Sequence, residues 1–547
     1  MFKSDSFVPS RVNINFTMAS ERRVSGPSTS TRTATTQWSS LPLEIRQKIL
    51  ETSMQQKTPG WSSIASVCKE WQFFIEKQNF RRLKLIPSLE TAQTEPSCLD
   101  VFKSNTKQRE HLVRHIWLNI ELPKYTCRNG TPAPVRNCDR QEGEPTKSWN
   151  SSAISQEIWK LFSILSTWRP RADGLTLELN TYSPSDSKHF FKNYYFDSDM
   201  ESYQDGDVHN HWDDLDCWAD MDHDWLFGRQ LRLPKKPAIL RIFGPIRLLF
   251  RKELPQVGVF RHLIIRRQLR RWLALRPLLN MINKLDRLEE LTYEPWRVWE
   301  QRWSAFNDHQ WTRCLTKNIL PQTVKKLAIF EDFREDLATK MGRENIRGQL
   351  NQVHPTRIVD PRVGAAFASR SLDLEHLSVA YMINAEDFFQ ACNSTWIWER
   401  LESLSLTSQL LKYHERPGDQ MRINALLHAA GMTALRMPKL HTMVLWNGIK
   451  GSAFAFIYRV DRGAAFLTCR GTWKLEEELS SDVLDLWERV ALESHSCILR
   501  VAKQDETISS SVVRSHGDAI HLLDLPCQVV APVSLWQIKK EHETYRT

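Results

Sequence analysis

Leu374-Glu375-His376-Leu377-Ser378-Val379 carries an apolar-x-x-apolar-x-apolar pattern. Its last residues alternate as a strand with one buried face does. The pattern returns at Val113-Ile116-Leu118, Phe260-Leu263-Ile265, Leu288-Leu291-Tyr293 and Val324-Leu327-Ile329. It appears again at Leu401-Leu404-Leu406 and Leu440-Met443-Leu445, with a weaker copy at Leu175-Leu177-Leu179. Repetition of such a unit predicts short strands stacked side by side over a continuous core.

Helical stripes fall between several copies. Ile154, Ile158, Leu161, Phe162 and Leu165 form one, Leu269, Leu273, Leu278, Ile282 and Leu285 a second, and Ile423, Leu426 and Leu427 a third. Helix then strand, repeated, resembles a leucine-rich-repeat horseshoe. The copies depart from that family in spacing, with first residues 28, 36, 50, 27 and 39 apart from Phe260 to Leu440, where such repeats run about 20–29. The family's Asn is replaced by Trp296, Met382, Gln409 and Gly448. A compact α/β or α+β domain with Leu-rich strands is the other reading.

Ahead of the repeats lies Leu41-Pro42-Leu43-Glu44-Ile45-Arg46-Gln47-Lys48-Ile49-Leu50, followed by Ile64-Ala65-Ser66-Val67-Cys68-Lys69-Glu70-Trp71. Pro42 suits a helix start, where its missing N–H goes unused, and Glu44 suits the positive helix end. Ile45 and Ile49 share a face. Pro59-Gly60 breaks the chain before a second helix bearing Ile64, Val67, Cys68, Trp71, Phe74 and Ile75. So short a helical pair buries little core alone and calls for a cover. The segment at residues 38–83 resembles an F-box. That resemblance implies docking of a Skp-type adaptor, and through it a cullin, by Leu41, Pro42, Ile45, Ile49, Leu50, Val67, Cys68 and Trp71. Cys68, with apolar neighbours, reads as a buried, inert thiol.

Over most of residues 38–540 the architecture resembles a group of fungal F-box-like proteins with long, poorly characterised C-terminal regions. Trp168-Arg169-Pro170, Leu291-Thr292-Tyr293-Glu294-Pro295-Trp296, Ser371-Leu372-Asp373-Leu374 and Leu440-His441-Thr442-Met443 carry the likeness, which names no substrate. The expected architecture is mixed α/β: a helical F-box, an irregular leucine-rich-repeat-like helix/strand solenoid and a globular C-terminal cap. The expected boundaries are a Ser/Thr/Arg-rich disordered tail at 1–37, the F-box at 38–83 and a linker at 84–110. The repeat domain follows at 111–450, with an acidic insertion at 197–224, and the cap at 451–547.

With 547 residues, 41% of them hydrophobic, and 21 Trp, the chain has the means for a large, aromatic-rich core. No apolar run reaches a membrane span and no apolar signal core opens the chain, so a cytoplasmic or nuclear protein is expected. Ten Cys without a C-x-x-C pair point to reduced thiols rather than disulfides or zinc.

The net charge of +10 is unevenly spread. Asp197 to Asp224 holds eleven acidic residues and no Lys or Arg, whereas Arg229 to Arg276 holds fourteen basic residues against Glu253 alone. Arg266, Arg267, Arg270 and Arg271 read either as an anion site for an acidic substrate or nucleic acid, or as the solvated face of a helix. Trp296, Trp299 and Trp303 at i, i+3 and i+7 put three indoles on one helical face, with Arg297 and Arg302 beside them. They form either a substrate patch or internal packing. His209, His211, Asp213, Asp214 and His223 are ligand types at a spacing that fits no common site, and an EF-hand from Asp205 fails at Asn210 and Asp216. No metal and no cofactor are expected. Phosphate loops, nucleophile elbows and zinc-protease helices are missing, so no catalytic residue is assigned.

The implied function is a substrate receptor that presents an unknown protein to a cullin-RING ubiquitin ligase. The alternatives are an F-box scaffold outside any ligase, and a basic regulator that binds phosphoproteins or nucleic acid.

Overall fold

A computed structural model describes residues 38–55, 65–90, 97–127, 137–196, 219–299, 301–343, 357, 359–412, 419–475, 479–502 and 507–543. The expected tail at 1–37, the Pro59-Gly60 break, Ile64 and most of the acidic insertion lie outside them. The chain divides into two compact units, residues 1–75 and 76–547.

In the first unit a 3₁₀ turn, Trp38–Ser40, precedes the helix Leu43–Gln55. The Pro42 carbonyl accepts the first helical bond, from Arg46 N at 3.1 Å. The next helix begins at Lys69, so Val67 and Cys68 precede it rather than riding on it. Glu70 ties the unit together, accepting from Trp38 Nε1 at 3.0 Å and Arg46 Nη1 at 2.9 Å.

The second unit is mixed α/β, built on a twelve-stranded sheet. Its strands are β1 (Arg82–Leu85), β2 (His115–Glu121) and β3 (Leu175–Tyr182). A small meander follows: β4 (Ala219–Asp220), β5 (Trp225–Leu226) and β6 (Arg229–Gln230). The short β7 (Pro245–Ile246) pairs with β9 (Trp272–Leu273) on either side of β8 (Phe260–Ile265). Then come β10 (Glu290–Tyr293), β11 (Lys326–Phe330), β12 (His376–Ala380) and β13 (Ser403–Thr407). The sheet ends with β14 (Thr442–Ile449), β15 (Ser452–Asp461), β16 (Ala464–Gly471) and β17 (Leu499–Ala502).

From β1 through β3, β8 and β10 to β14 the sheet strands follow chain order and all pair in parallel. Helices fill the crossovers, among them Glu144–Leu165, Gln301–Thr316, Pro361–Arg370 and Asp419–Ala434. Two of the three sequence stripes lie on such helices. The repeat pattern becomes one column across the sheet: Leu83, Ile116, Leu177, Leu263, Leu291, Leu327, Leu377, Leu404 and Met443 stand in register. These residues and the helices share one continuous core. A parallel strand needs a covered crossover, which accounts for the irregular spacing: the sheet fixes the strands and leaves the connections free in length.

Three expectations on boundaries change. The segment expected as a linker holds the end of β1, the whole helix Cys98–Thr106 and the start of a 3₁₀ turn, Glu110–Leu112, so its described residues are built into the sheet and its flank. The boundary drawn at 450/451 falls inside the tight β14–β15 hairpin, where Gly451 sits at φ +78°, a conformation glycine adopts without strain. The last residues do more than cap an end. Val444 and Trp446 point away from the main core by strand alternation, and Val513, Ala519, Ile520, Leu523 and Ile538 cover that second face. No helix among the described residues is long and apolar enough to cross a membrane.

Candidate functional site

The helical pair of the first unit leaves a run of apolar side chains in solvent. Ile45 is 46% exposed, Ile49 38% and Val67 64%, and Leu43 and Phe73 join them at 50% and 61%. Pro42 is exposed and Leu41 half-buried. Two expected contacts have other duties. Leu50 is buried, at 1% exposure, and belongs to the core. Trp71 is half-buried and packs on Trp38 with ring centroids 5.1 Å apart. Cys68 is exposed, which corrects the reading of a buried thiol; because it precedes the helix, the apolar residues near it in sequence do not enclose it.

Within the basic block, Arg266, Arg267, Arg270 and Arg271 form neither an anion patch nor a solvated helix face. Residues 266–271 connect β8 to β9, and the helix of this region starts only at Leu275. Arg267, Arg270 and Arg271 are buried, and each guanidinium meets internal carboxylates. Arg267 donates to Asp332 and, at 2.8 Å, to Glu541, while Arg270 donates to the same Glu541. Arg271 pairs with Glu142 at 2.9 Å and Asp186 at 3.1 Å, and the half-buried Arg266 pairs with Glu178 at 3.0 Å. Burial alone would raise the Asp332 and Glu541 carboxyls, but the adjacent guanidiniums hold both below their ordinary values. Burial lowers Arg270 to about 10.

This network fastens the C-terminal segment onto the ends of the parallel strands. Glu294, next after β10, accepts from Ala531 N at 2.7 Å and from the Ser534 hydroxyl. Asp332, just past β11, meets His516 Nε2 at 2.9 Å. In open α/β sheets a ligand crevice usually lies at these strand ends; here the helix Pro532–Glu543 occupies much of that position.

Beside the network a cleft of about 240 Å³ remains, lined by Trp272, Trp296, Trp299, Trp303, Arg247 and Arg297 among others. The three indoles singled out by sequence do converge, though not as a helical face. Trp296 and Trp299 lie in the strand–helix connection, and Trp303 alone sits on the helix Gln301–Thr316. Trp296 is buried under Arg267 and Arg270, whose guanidiniums stand 4.9 and 4.6 Å from its ring, and its Nε1 donates to the Arg267 carbonyl at 2.7 Å. Trp299 is half-buried with its edge on Phe243, ring centroids 5.0 Å apart, and its indole N–H finds no acceptor among the described residues. Arg297 is turned inward to Glu331 at 3.2 Å. Indole walls, with the Trp299 N–H left to satisfy and Arg247 in the lining, suit a flat or aromatic group that carries an acceptor.

Of the metal-type residues noted in the sequence, His209, His211, Asp213 and Asp214 lie outside the described residues. His223 is described, and its ring stands among two thiols and a second imidazole. Sequence reasoning passed over those three because each comes from a different segment.

A family of unknown function (DUF6546) matches residues 319–531, the stretch that holds β11 to β17 and the helix His516–Leu523. No curated protein and no solved structure matches the chain.

Proposed function

We propose that this chain is a non-catalytic substrate receptor. In this reading the first unit is an F-box that docks a Skp-type adaptor and, through it, a cullin, and the second unit holds a protein substrate. The observation that carries the reading is the exposure of Leu43, Ile45, Ile49, Val67 and Phe73 in, or just ahead of, two short helices opened by Leu-Pro. Apolar side chains left in water are costly, and a partner that covers them relieves the cost.

We read the second unit as an irregular leucine-rich-repeat-like solenoid. Strands in chain order with helical crossovers and one aligned leucine column support that reading. Its Trp-lined cleft is the favoured substrate contact, since aromatic side chains dominate protein interfaces. A receptor needs only to raise the local concentration of substrate near a ubiquitin-charged enzyme, which asks for shape and no catalytic group. The basic-regulator alternative loses its footing, because Arg266, Arg267, Arg270 and Arg271 are engaged by internal carboxylates.

The test is affinity purification of the intact chain beside a Leu41→Ala, Pro42→Ala, Ile45→Ala variant, scored for adaptor and cullin. Recovery of both with the parent and neither with the variant supports the receptor. A folded parent that brings down neither sinks it. Adaptor without cullin leaves the scaffold outside a ligase.

A further inference from the structure

We infer that Cys127, Cys138, His189 and His223 form a closed, tetrahedral zinc site. Their four donor atoms all lie within 4.8 Å of one another. Cys127 Sγ stands 3.2 Å from Cys138 Sγ and 3.4 Å from His223 Nε2. Cys138 Sγ is 3.5 Å from the same nitrogen, and His189 Nδ1 is 3.2 Å from it. Zinc bonds of about 2.3 Å to sulfur and about 2.0–2.1 Å to nitrogen set the edges of a tetrahedron between about 3.3 and 3.8 Å. The four edges given above, 3.2 to 3.5 Å, lie at or just below that range, and the remaining two stay within 4.8 Å. A disulfide would bring the sulfurs to about 2.05 Å and would give two imidazoles no reason to converge on them.

The surroundings are those of a metal ligand set. His223 Nδ1 bonds Asp220 Oδ2 at 2.7 Å, which leaves the Nε2 lone pair directed at the thiols. Asp220 is itself held by Lys192 Nζ at 2.8 Å. Cys138 and His223 are buried, Phe190 stands edge-on to the His223 ring, and Tyr125 packs on His189. Two sulfurs and two imidazoles favour zinc over the oxygen-seeking calcium and magnesium. All four positions are taken by protein, so the site builds structure and offers no open position for substrate.

The placement gives the ion its task. Cys127 lies in the connection after β2, Cys138 on a 3₁₀ turn, His189 after β3, and His223 on the turn between β4 and β5. One ion closes two loops of the sequence, Cys127 to Cys138 and His189 to His223, beside the sheet. Closing long loops is where a cross-link removes the most entropy from the unfolded chain.

The test is elemental analysis of the full-length chain purified without chelator. About one zinc per chain is expected, falling to background in Cys127→Ser/Cys138→Ser and unchanged in Cys392→Ser. Should the double variant fail to fold, the parent alone decides. Its apo form, reloaded with cobalt(II), should show the intense visible bands of tetrahedral cobalt with thiolate-to-metal charge transfer. Cys127 and Cys138 should resist alkylation until a chelator is added. A folded parent with no metal and no cobalt spectrum overturns the inference. So does metal that persists in the double variant, or a Cys127–Cys138 disulfide found by mass spectrometry.

Discussion

Arg267 Nη2 donates to Glu541 Oε2 at 2.8 Å across 274 residues of sequence, and both side chains are 2% exposed. The bond joins the strand ends at the middle of the sheet to the last helix. Because Glu541 also receives Arg270, one carboxylate serves two buried cations, with Asp332 as the second partner of Arg267. Glu541→Ala strips Arg270 of its carboxylate, leaves Arg267 with Asp332 alone, and should cost about 3–5 kcal/mol. A fall in the urea unfolding midpoint measures it.

The same carboxylate gives a pH signature. Its folded pKa is held below the ordinary value, so its stabilisation is present above the unfolded value of about 4.3 and is lost as pH falls through the folded value. The stability gap between parent and Glu541→Gln should therefore be full at pH 7 and shrink below about pH 4. Thermal unfolding of both proteins across that range reads it. A gap that widens on acidification contradicts the sign.

Gly448 lies against the C-terminal cover: a Cβ there would stand 2.5 Å from Ala519 Cβ. Gly448→Ala should cost about 1–3 kcal/mol through overpacking. The damage should appear first as faster proteolysis of residues 507–543, followed by mass spectrometry of the released fragments.

In the first unit two neighbouring positions should behave oppositely. Ile49→Glu, on an exposed side chain, should leave the helical content intact and abolish adaptor capture. Leu50→Ala, in the core, should cost about 2–5 kcal/mol and weaken capture only by unfolding the unit. Circular dichroism beside the pull-down separates the two.

Within the cleft, Trp296→Ala removes a buried ring that carries two guanidiniums and should cost about 3–5 kcal/mol. Trp299→Ala should cost far less and instead diminish recovery of bound substrate. Quantitative proteomics of the two variants, each normalised to folded protein, checks this.

The repeat was legible because burial imposes a period of two on every strand, and Leu377, Leu404 and Met443 report the same inward position. The register was implicit in that pattern. What escaped the sequence were relationships without a period. Arg267, Arg270 and Arg271 read as a surface block because their carboxylates, Asp332, Glu541 and Asp186, come from remote segments. The indoles of Trp296 and Trp299 fit helical spacing, but Pro295 and a late helix start at Gln301 put them in a connection. Cys127, Cys138, His189 and His223 share no motif spacing, since the fold rather than the chain makes them neighbours.

The order of the sheet has a consequence for synthesis. From β1 to β14 the strands of the main sheet are laid side by side in chain order, with β4 to β7 and β9 set apart, so a chain emerging from the ribosome at about 5–20 residues per second can add each strand to an existing edge. Arg267 and Arg270 fall outside that progression. Arg270 waits for Glu541, 271 residues further along the chain. Until that carboxylate joins, Arg270 lacks the charge that compensates its burial at the heart of the sheet, whereas Arg267 already has Asp332.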